Sequence, residues 1–165
     1  MTTKKKVGIK ESGCCKPFDG TLWDNKTIIW KNKLFLKDRV LSLFHIPINM
    51  GQVITRDMKK IECAGALSDE QLMLSDENSL FGADIYIAVN GDVPGAQMVE
   101  LSGTFLSKVF EGDYKNMGNW IKQMNEYVKS KKKEIKKMYF FYTMCPACAK
   151  FYGKNYTVIL AQIEV

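Results

Sequence analysis

The sequence predicts a single α+β domain in which a strand, a helix and two more strands occur twice in tandem. Two observations lead to this prediction. The segment at 49–54 (NMGQVI) closely matches the segment at 116–121 (NMGNWI). Both copies also stand in the same place within the same order of predicted elements. The length of 165 residues and the hydrophobic content of 46% suit one domain or two closely packed halves.

A strand is predicted before each copy of the motif and a helix is predicted to begin within it. The segments at 39–46 and 105–111 are strand-like, and each Asn of the motif is a suitable helix N-cap. Apolar residues then recur at helical spacing. In the first helix they are Met50, Ile54, Met58 and Ile61, and in the second Met117, Trp120, Ile121, Met124, Tyr127 and Val128.

Two strands are predicted after each helix, at 71–75 and 84–89 and then at 138–143 and 156–161, since these segments are rich in β-branched and aromatic residues. The predicted fold is an antiparallel sheet with pseudo-twofold symmetry, helices on one side and a concave ligand cleft on the other. Residues 1–24 form an N-terminal arm, and residues 25–165 form the domain. Its two units span about 26–90 and 100–165.

Composition narrows the class of protein. The formal net charge is +6, but the lysines are scattered among acidic residues and no nucleic-acid motif accompanies them. The densest basic run, at 131–137, is typical of a solvated helix end. No apolar run approaches the ~20 residues of a membrane helix, and the start does not resemble a secretion signal. We expect a cytoplasmic monomer or homodimer with neither nucleic-acid nor membrane partners.

Aromatic side chains are the first candidates for ligand binding, because flat ligands stack on such rings and cations lie over their faces. Core packing is the competing interpretation, and it is favoured for the residue on the second helix stripe, Trp120. For the strand residues the two interpretations are balanced. The candidates are Trp23, Trp30, Tyr86, Trp120, Tyr139, Phe141 and Tyr142.

Four carboxylates are the second group of candidates. Asp76 and Glu77 follow a predicted strand, where solvated turn residues are the simpler interpretation of either one alone. Asp84 and Glu111 alternate with apolar neighbours, so either could face the cleft. A carboxylate beside an aromatic wall could attract a cation or orient a water molecule for attack. Glu111 and Asp84 are therefore the catalytic candidates.

Cysteines are the third group. Cys145 and Cys148 have the spacing of a chelating or redox pair, and Cys14 with Cys15 could add two thiolates for zinc if the arm folds back. Plain buried or reactive thiols are the default interpretation, and a disulfide or a soft-metal thiol site is a further alternative. No cofactor is required by the predicted binding function. Cys63 is predicted to lie in the core. His45 is the single histidine, which excludes a multi-histidine metal centre and makes a His-based triad a poor prediction.

Several segments resemble a stand-alone branch, labelled hydrolase, of the GyrI-like small-molecule-binding superfamily. That superfamily also supplies the effector-binding domain of MerR- and AraC-type regulators. The resemblance covers about residues 25–165 in organisation. The matching segments are Cys14-Cys15, Trp23-Asp24, Leu74-Ser75-Asp76, the stretch at 101–112, the Cys145–Ala149 motif, and Tyr152-Gly153-Lys154-Asn155-Tyr156.

The resemblance implies recognition of lipophilic, often cationic, aromatic compounds, and in some stand-alone members hydrolysis of strained-ring natural products with an aromatic cage. Regulators of the superfamily carry a glutamate two residues before a tyrosine on the penultimate strand. Here the matching tyrosine is Tyr142, and the glutamate position holds Phe140.

The predicted function is therefore binding of hydrophobic aromatic small molecules, cationic ones included, in an aromatic-lined cleft, with hydrolysis of a xenobiotic as its extension. One alternative is a thiol-based metal-binding or redox-sensing protein that uses Cys14, Cys15, Cys145 and Cys148. A second is an interaction module whose groove holds a peptide or a second subunit.

Overall fold

A computed structural model describes residues 15–44 and 46–165 of the chain. Its elements, apart from two short 3-10 turns, are β1 (Lys26–Leu43), β2 (Ile46–Pro47), α1 (Met50–Cys63), β3 (Met73–Ser79), β4 (Gly82–Ala88), β5 (Gln97–Glu111), α2 (Met117–Ser130), β6 (Ile135–Tyr142), α3 (Pro146–Tyr152) and β7 (Tyr156–Ile163).

Six strands close into an antiparallel barrel in the order β1-β4-β3-β6-β7-β5, and β5 pairs again with β1. The long first strand makes the closure, since Phe35 on β1 lies opposite Ala88 of β4 on one side and Val99 of β5 on the other. Closure leaves these strands without a free edge along their paired length. The two-residue strand β2 pairs with the end of β1.

Alternation along the strands separates the barrel interior from its outer surface. On β5, and on β1 beyond residue 33, odd-numbered residues such as Phe105 and Phe35 point inward and are completely buried. Even-numbered neighbours such as Leu36 and Leu106 point outward, where the apolar faces of the two long helices cover them. Helix α1 covers β1 and β4, and α2 covers β5, β6 and β7.

The first strand begins thirteen residues before the predicted strand at 39–46. A β-bulge between Trp30 and Lys33 interrupts its alternation, and Asn32 there has a positive φ of 51°. The bulge shifts the inward-facing set from even to odd positions, which hides the period-2 pattern in the sequence. The remaining predicted strands and both long helices are present with shifted ends.

The two motif asparagines occupy the N-cap positions as predicted, but neither side chain caps its helix. The Asn49 side-chain oxygen accepts a hydrogen bond from the backbone N–H of Leu41 at 2.8 Å. It therefore ties the start of α1 to the end of β1, and not to its own first turn.

The α+β class and the antiparallel sheet are confirmed. The face that the sequence assigns to a concave cleft is the interior of a closed barrel. Division into an arm and two units related by a pseudo-twofold axis stays a prediction.

Within the described residues, the helices are too short or too polar for any of them to cross a membrane.

Candidate functional site

The barrel interior is a cluster of touching aromatic rings. Trp30 lies 4.6 Å from Phe105 and 5.8 Å from Phe35, measured between ring centroids. Tyr86 and Tyr139 meet edge to face at 5.7 Å, a preferred arrangement for aromatic pairs. Both tyrosines are less than 5% exposed, so the rings fill the interior themselves.

One end of the barrel is covered by the segment that precedes β1, and we call it the capped end. The ring of Phe18 lies 5.4 Å from that of Tyr156, and Trp23 lies 5.4 Å from Phe141. The Ser107 hydroxyl on β5 donates a 2.6 Å hydrogen bond to the backbone carbonyl of Trp23. These contacts hold the segment across the ends of β5 and β6.

The opposite end carries five charged side chains, and we call it the charged end: Lys37, Arg39, Asp76, Asp84 and Lys137. Asp84 accepts from the Arg39 guanidinium at 2.9 Å, and the Lys37 ammonium lies 3.4 Å from its other oxygen. Asp76 pairs with Lys137 at 2.6 Å. With side chains only 14% and 7% exposed, Asp84 and Asp76 are carboxylates drawn into the barrel and compensated by cations.

The exposed Asn78 joins these two ion pairs. Its amide nitrogen lies 3.3 Å from Asp76 and 3.2 Å from Asp84, within hydrogen-bond distance of both carboxylates. The charged end is therefore one connected network across β1, β4, β3 and β6.

The network lies directly on the aromatic cluster. The Lys37 ammonium is 5.6 Å from the centre of the Tyr86 ring, and that of Lys137 is 5.2 Å from the centre of the Tyr139 ring. Both distances are typical of cation–π contacts. The two tyrosines thus form the boundary between apolar interior and charged mouth.

The surroundings of Asp84, Lys137 and Tyr139 shift the pKa values of these three groups. Burial raises the pKa of Asp84, but Arg39, Lys37 and Asn78 outweigh it, so the pKa lies below its usual value. Burial opposes the charged form of Lys137, yet its bond to Asp76 leaves the pKa of this lysine raised. Burial raises the pKa of the Tyr139 hydroxyl. Near neutral pH the end carries charged Asp84 and Lys137 beside a neutral phenol.

Most of the aromatic residues predicted for ligand binding converge on this interior: Trp23, Trp30, Tyr86, Tyr139 and Phe141. Two do not. Trp120 lies on α2 and stacks on Phe110 at 5.7 Å in the outer cluster, in agreement with the core interpretation. Tyr142 packs against the same outer cluster.

The four predicted carboxylates separate in the same way. Asp76 and Asp84 meet at the charged end, whereas Glu77 accepts a hydrogen bond from the hydroxyl of Tyr142. A glutamate thus reaches Tyr142 from β3, although Phe140 occupies the position two residues before it. Glu111 is exposed and lies opposite Tyr156 in the β5–β7 pairing at the capped end. Asp84 is therefore the catalytic candidate that connects with the aromatic cluster, through Lys37.

Sequence reasoning missed the cations Lys37, Arg39 and Lys137, which complete the network. The signal that could have found them is alternation: Lys37 and Arg39 follow Phe35 at steps of two along β1, and Lys137 precedes Tyr139 by two.

Three of the four predicted metal-ligating cysteines come together. The sulfur atoms of Cys15, Cys145 and Cys148 all lie within 4.8 Å of one another. Cys14 and His45 lie outside the described residues. Cys63 is exposed, so its predicted place in the core is wrong: it is the last residue of α1 and lies off the face that packs on the sheet.

Two cavities lie on the outside of the barrel. One, of about 330 Å³, is lined by residues of the α2 end and of β1, β5 and β7, including Tyr127 and Lys131. The other, of about 380 Å³, lies beside α1 and Pro94. Neither of these two cavities is lined by residues of the aromatic interior.

Together these features define an α+β domain built on a closed antiparallel barrel, with an aromatic interior and an ion-paired mouth. The model of the family described as "Bacterial hydrolase" matches residues 5–163, nearly the whole chain, and the chain belongs to that family. Comparison with curated proteins gives no significant match. Membership of the GyrI-like superfamily stays a prediction.

Proposed function

We propose that this chain binds a hydrophobic aromatic small molecule at the charged end of the barrel and hydrolyses it there. The observation that carries the proposal is that Lys37 and Lys137, the lysines paired with Asp84 and Asp76, contact the rings of Tyr86 and Tyr139. Membership of the Bacterial hydrolase family supports the reaction type. The ligand is a xenobiotic or other organic compound met in the cytoplasm.

The aromatic part of the ligand would rest on the two tyrosine rings. Their faces now contact the ammonium groups of Lys37 and Lys137, which are 26% and 38% exposed and can swing outward. When a flat ring of the ligand displaces a lysine side chain from a tyrosine ring, the tyrosine keeps an apolar contact. The displaced ammonium group can then bind a polar group of the ligand. A cationic ligand would take the place of a lysine on the same ring face.

The charged groups suit attack by water on a polarised bond, such as that of an ester. Asp84 is kept ionised by the neighbouring cations Arg39 and Lys37. Its carboxylate can accept a hydrogen bond from a water molecule and orient it. Its low pKa makes it a weak proton acceptor, so positioning is its main contribution. Lys37 and Lys137 can donate to an oxygen that gains negative charge in the transition state, the kind of stabilisation that contributes most in a partly desolvated site.

Binding is tested first by tryptophan fluorescence. The chain has three tryptophans, and the variant Trp120→Phe leaves Trp23 and Trp30, which belong to the interior cluster. We expect saturable changes with planar aromatic compounds that Tyr139→Ala weakens at least about tenfold. Tyr127→Ala, which removes a tyrosine outside the barrel, is the matched control. Equal affinity in Tyr86→Ala, Tyr139→Ala and the parent would refute the site.

Hydrolysis is tested with aromatic esters in isotopically labelled water, with mass spectrometry of the products. Label in the product shows water addition, and Asp84→Asn should lower the rate at least about 100-fold. Asp92→Asn, which changes an exposed loop aspartate, should leave it unchanged. An Asp84→Asn protein with the parent's circular dichroism and full turnover would exclude Asp84. Binding without any turnover across the panel would reduce the proposal to a binding protein.

A further inference from the structure

The connection between β6 and β7 presents two cysteines on one side. Cys145 is the extended N-cap residue of α3, Pro146 occupies the first turn, and Cys148 follows three residues after Cys145 within that turn. Residues three apart lie on the same side of a helix. The left-handed Gly153 (φ 68°) ends the helix and returns the chain to β7. The local sequence therefore folds into a preorganised pair of sulfur ligands.

A third cysteine reaches this pair from the segment before β1. The hydroxyl of Tyr152, the last residue of α3, donates a 2.7 Å hydrogen bond to the backbone carbonyl of Cys15. This bond spans 137 positions of sequence and sets the side chain of Cys15 beside Cys145 and Cys148. Cys148 is buried, and the other two are half-buried, so the three sulfurs are largely withdrawn from solvent.

The chemistry of the group favours a borderline-soft cation. All three donors are sulfur, and the described residues place no carboxylate or imidazole in the group. Thiolates select zinc over magnesium or calcium, which prefer oxygen. A tetrahedral zinc with bonds of about 2.3 Å sets its sulfurs roughly 3.8 Å apart. The sulfurs here, within 4.8 Å, need to move by no more than about 1 Å to reach that geometry.

We propose that Cys15, Cys145 and Cys148 supply three of the four ligands of one structural zinc ion, which fastens the N-terminal segment to the β6–β7 connection. Each thiol gives up its proton to solvent as its sulfur binds, and no bond is oxidised or reduced. The fastening lies at the capped end, where Phe18 and Trp23 cover the aromatic interior. The metal site is thus separate from the charged end and adds a role that hydrolysis does not require.

The full chain, purified without chelators and under reducing conditions, is the material for the test. Elemental analysis should give about one zinc per chain. Cobalt exchanged into the site should show intense thiolate-to-metal charge-transfer absorption. Cys15→Ser should lose both signals, whereas Cys63→Ser, which changes the exposed cysteine of α1, should keep both.

Thermal unfolding with and without a chelator is a second test, which measures the effect of zinc on stability and also applies to the parent protein, whose folding no substitution disturbs. The parent and Cys63→Ser should lose stability on zinc removal, because the metal binds only the folded chain. Cys15→Ser should melt lower and be indifferent to the chelator. The proposal is overturned by zinc-free protein that also fails to bind cobalt after reduction. It is equally overturned by zinc that Cys15→Ser and Cys145→Ser both retain in full.

Discussion

Two neighbouring aspartates on the outside of the barrel have pKa values that are shifted in opposite directions. Asp57 on α1 is fully buried, and its oxygen Oδ2 has no hydrogen-bond partner in the described part of the chain. Burial, followed by the charge of Asp38, raises the pKa of Asp57. Burial also acts on Asp38, but the backbone N–H of Arg39 and the Arg56 guanidinium, at 2.7 Å and 2.5 Å, lower its pKa overall.

The raised pKa of Asp57 makes stability depend on pH. A carboxyl whose folded pKa exceeds its unfolded value stabilises the fold fully below the unfolded value, and this contribution is lost as pH rises through the folded value. Asp57→Asn never ionises. We therefore expect Asp57→Asn to be more stable than the parent at about pH 7, by on the order of 1 kcal/mol. The difference should disappear near pH 4, close to the ordinary pKa of aspartate.

Urea unfolding at both pH values measures this difference. Asp69→Asn, a change at an exposed aspartate, is the control and should track the parent throughout. A lower stability of Asp57→Asn at neutral pH would mean that the ionised carboxylate is favourable in its pocket, contrary to the assignment.

At the scale of the element, the sequence is most informative where a pattern is local. Both long helices follow from the spacing of residues such as Ile61 and Met124, which are buried. Helix α3 was missed although Pro146 and Gly153 are recognisable start and stop signals, because its seven residues carry too short a pattern. The full length of β1 was missed because its bulge depends on a residue far away in the sequence. The backbone N–H of Asn32 donates a 2.8 Å hydrogen bond to the hydroxyl of Ser102 on β5.

The glycine opposite this bulge is a test of strand geometry. Gly103 on β5 pairs with Trp30 and has a φ of 143°, which side-chain-bearing residues rarely adopt. A Cβ there would also lie 2.8 Å from the side-chain nitrogen of Gln162. Gly103→Ala should lower the free energy of unfolding by about 1–3 kcal/mol.

Gly118→Ala is its matched control. Gly118 lies in α2, where an added Cβ meets no atom within 4 Å, so the change should raise stability by up to about 1 kcal/mol. Chemical unfolding of both variants measures whether each change raises or lowers the free energy of unfolding. Equal effects of the two changes would show that the β5 backbone relaxes freely at Gly103.

At the scale of the whole molecule, the sequence predicts which residues gather but not how the sheet closes. Tyr86, Tyr139 and Phe141 are predicted, with equal weight, to lie in the core or to line the cleft, and they share one cluster in the barrel interior. Closure depends on the pairing of β1 with β5, which joins Trp30 to Gly103 and Lys37 to Gln97. Such long-range pairing leaves no periodic signal in either strand, so a closed interior and an open groove predict the same alternation.

The capped end shows how far closure depends on the segment before β1. Trp23 packs on Phe141, while the adjacent Leu22 is 69% exposed. Trp23→Ala should therefore open one end of the interior and lower the free energy of unfolding by about 2 kcal/mol or more, whereas Leu22→Ala should change it by less than about 0.5 kcal/mol.

Both variants keep Cys15. Urea unfolding measures the loss, and a hydrophobic dye should bind Trp23→Ala alone, because only this change exposes the aromatic interior. Equal stabilities of the two variants, with dye bound by neither, would mean that the barrel closes its own end and that the N-terminal segment merely lies against it.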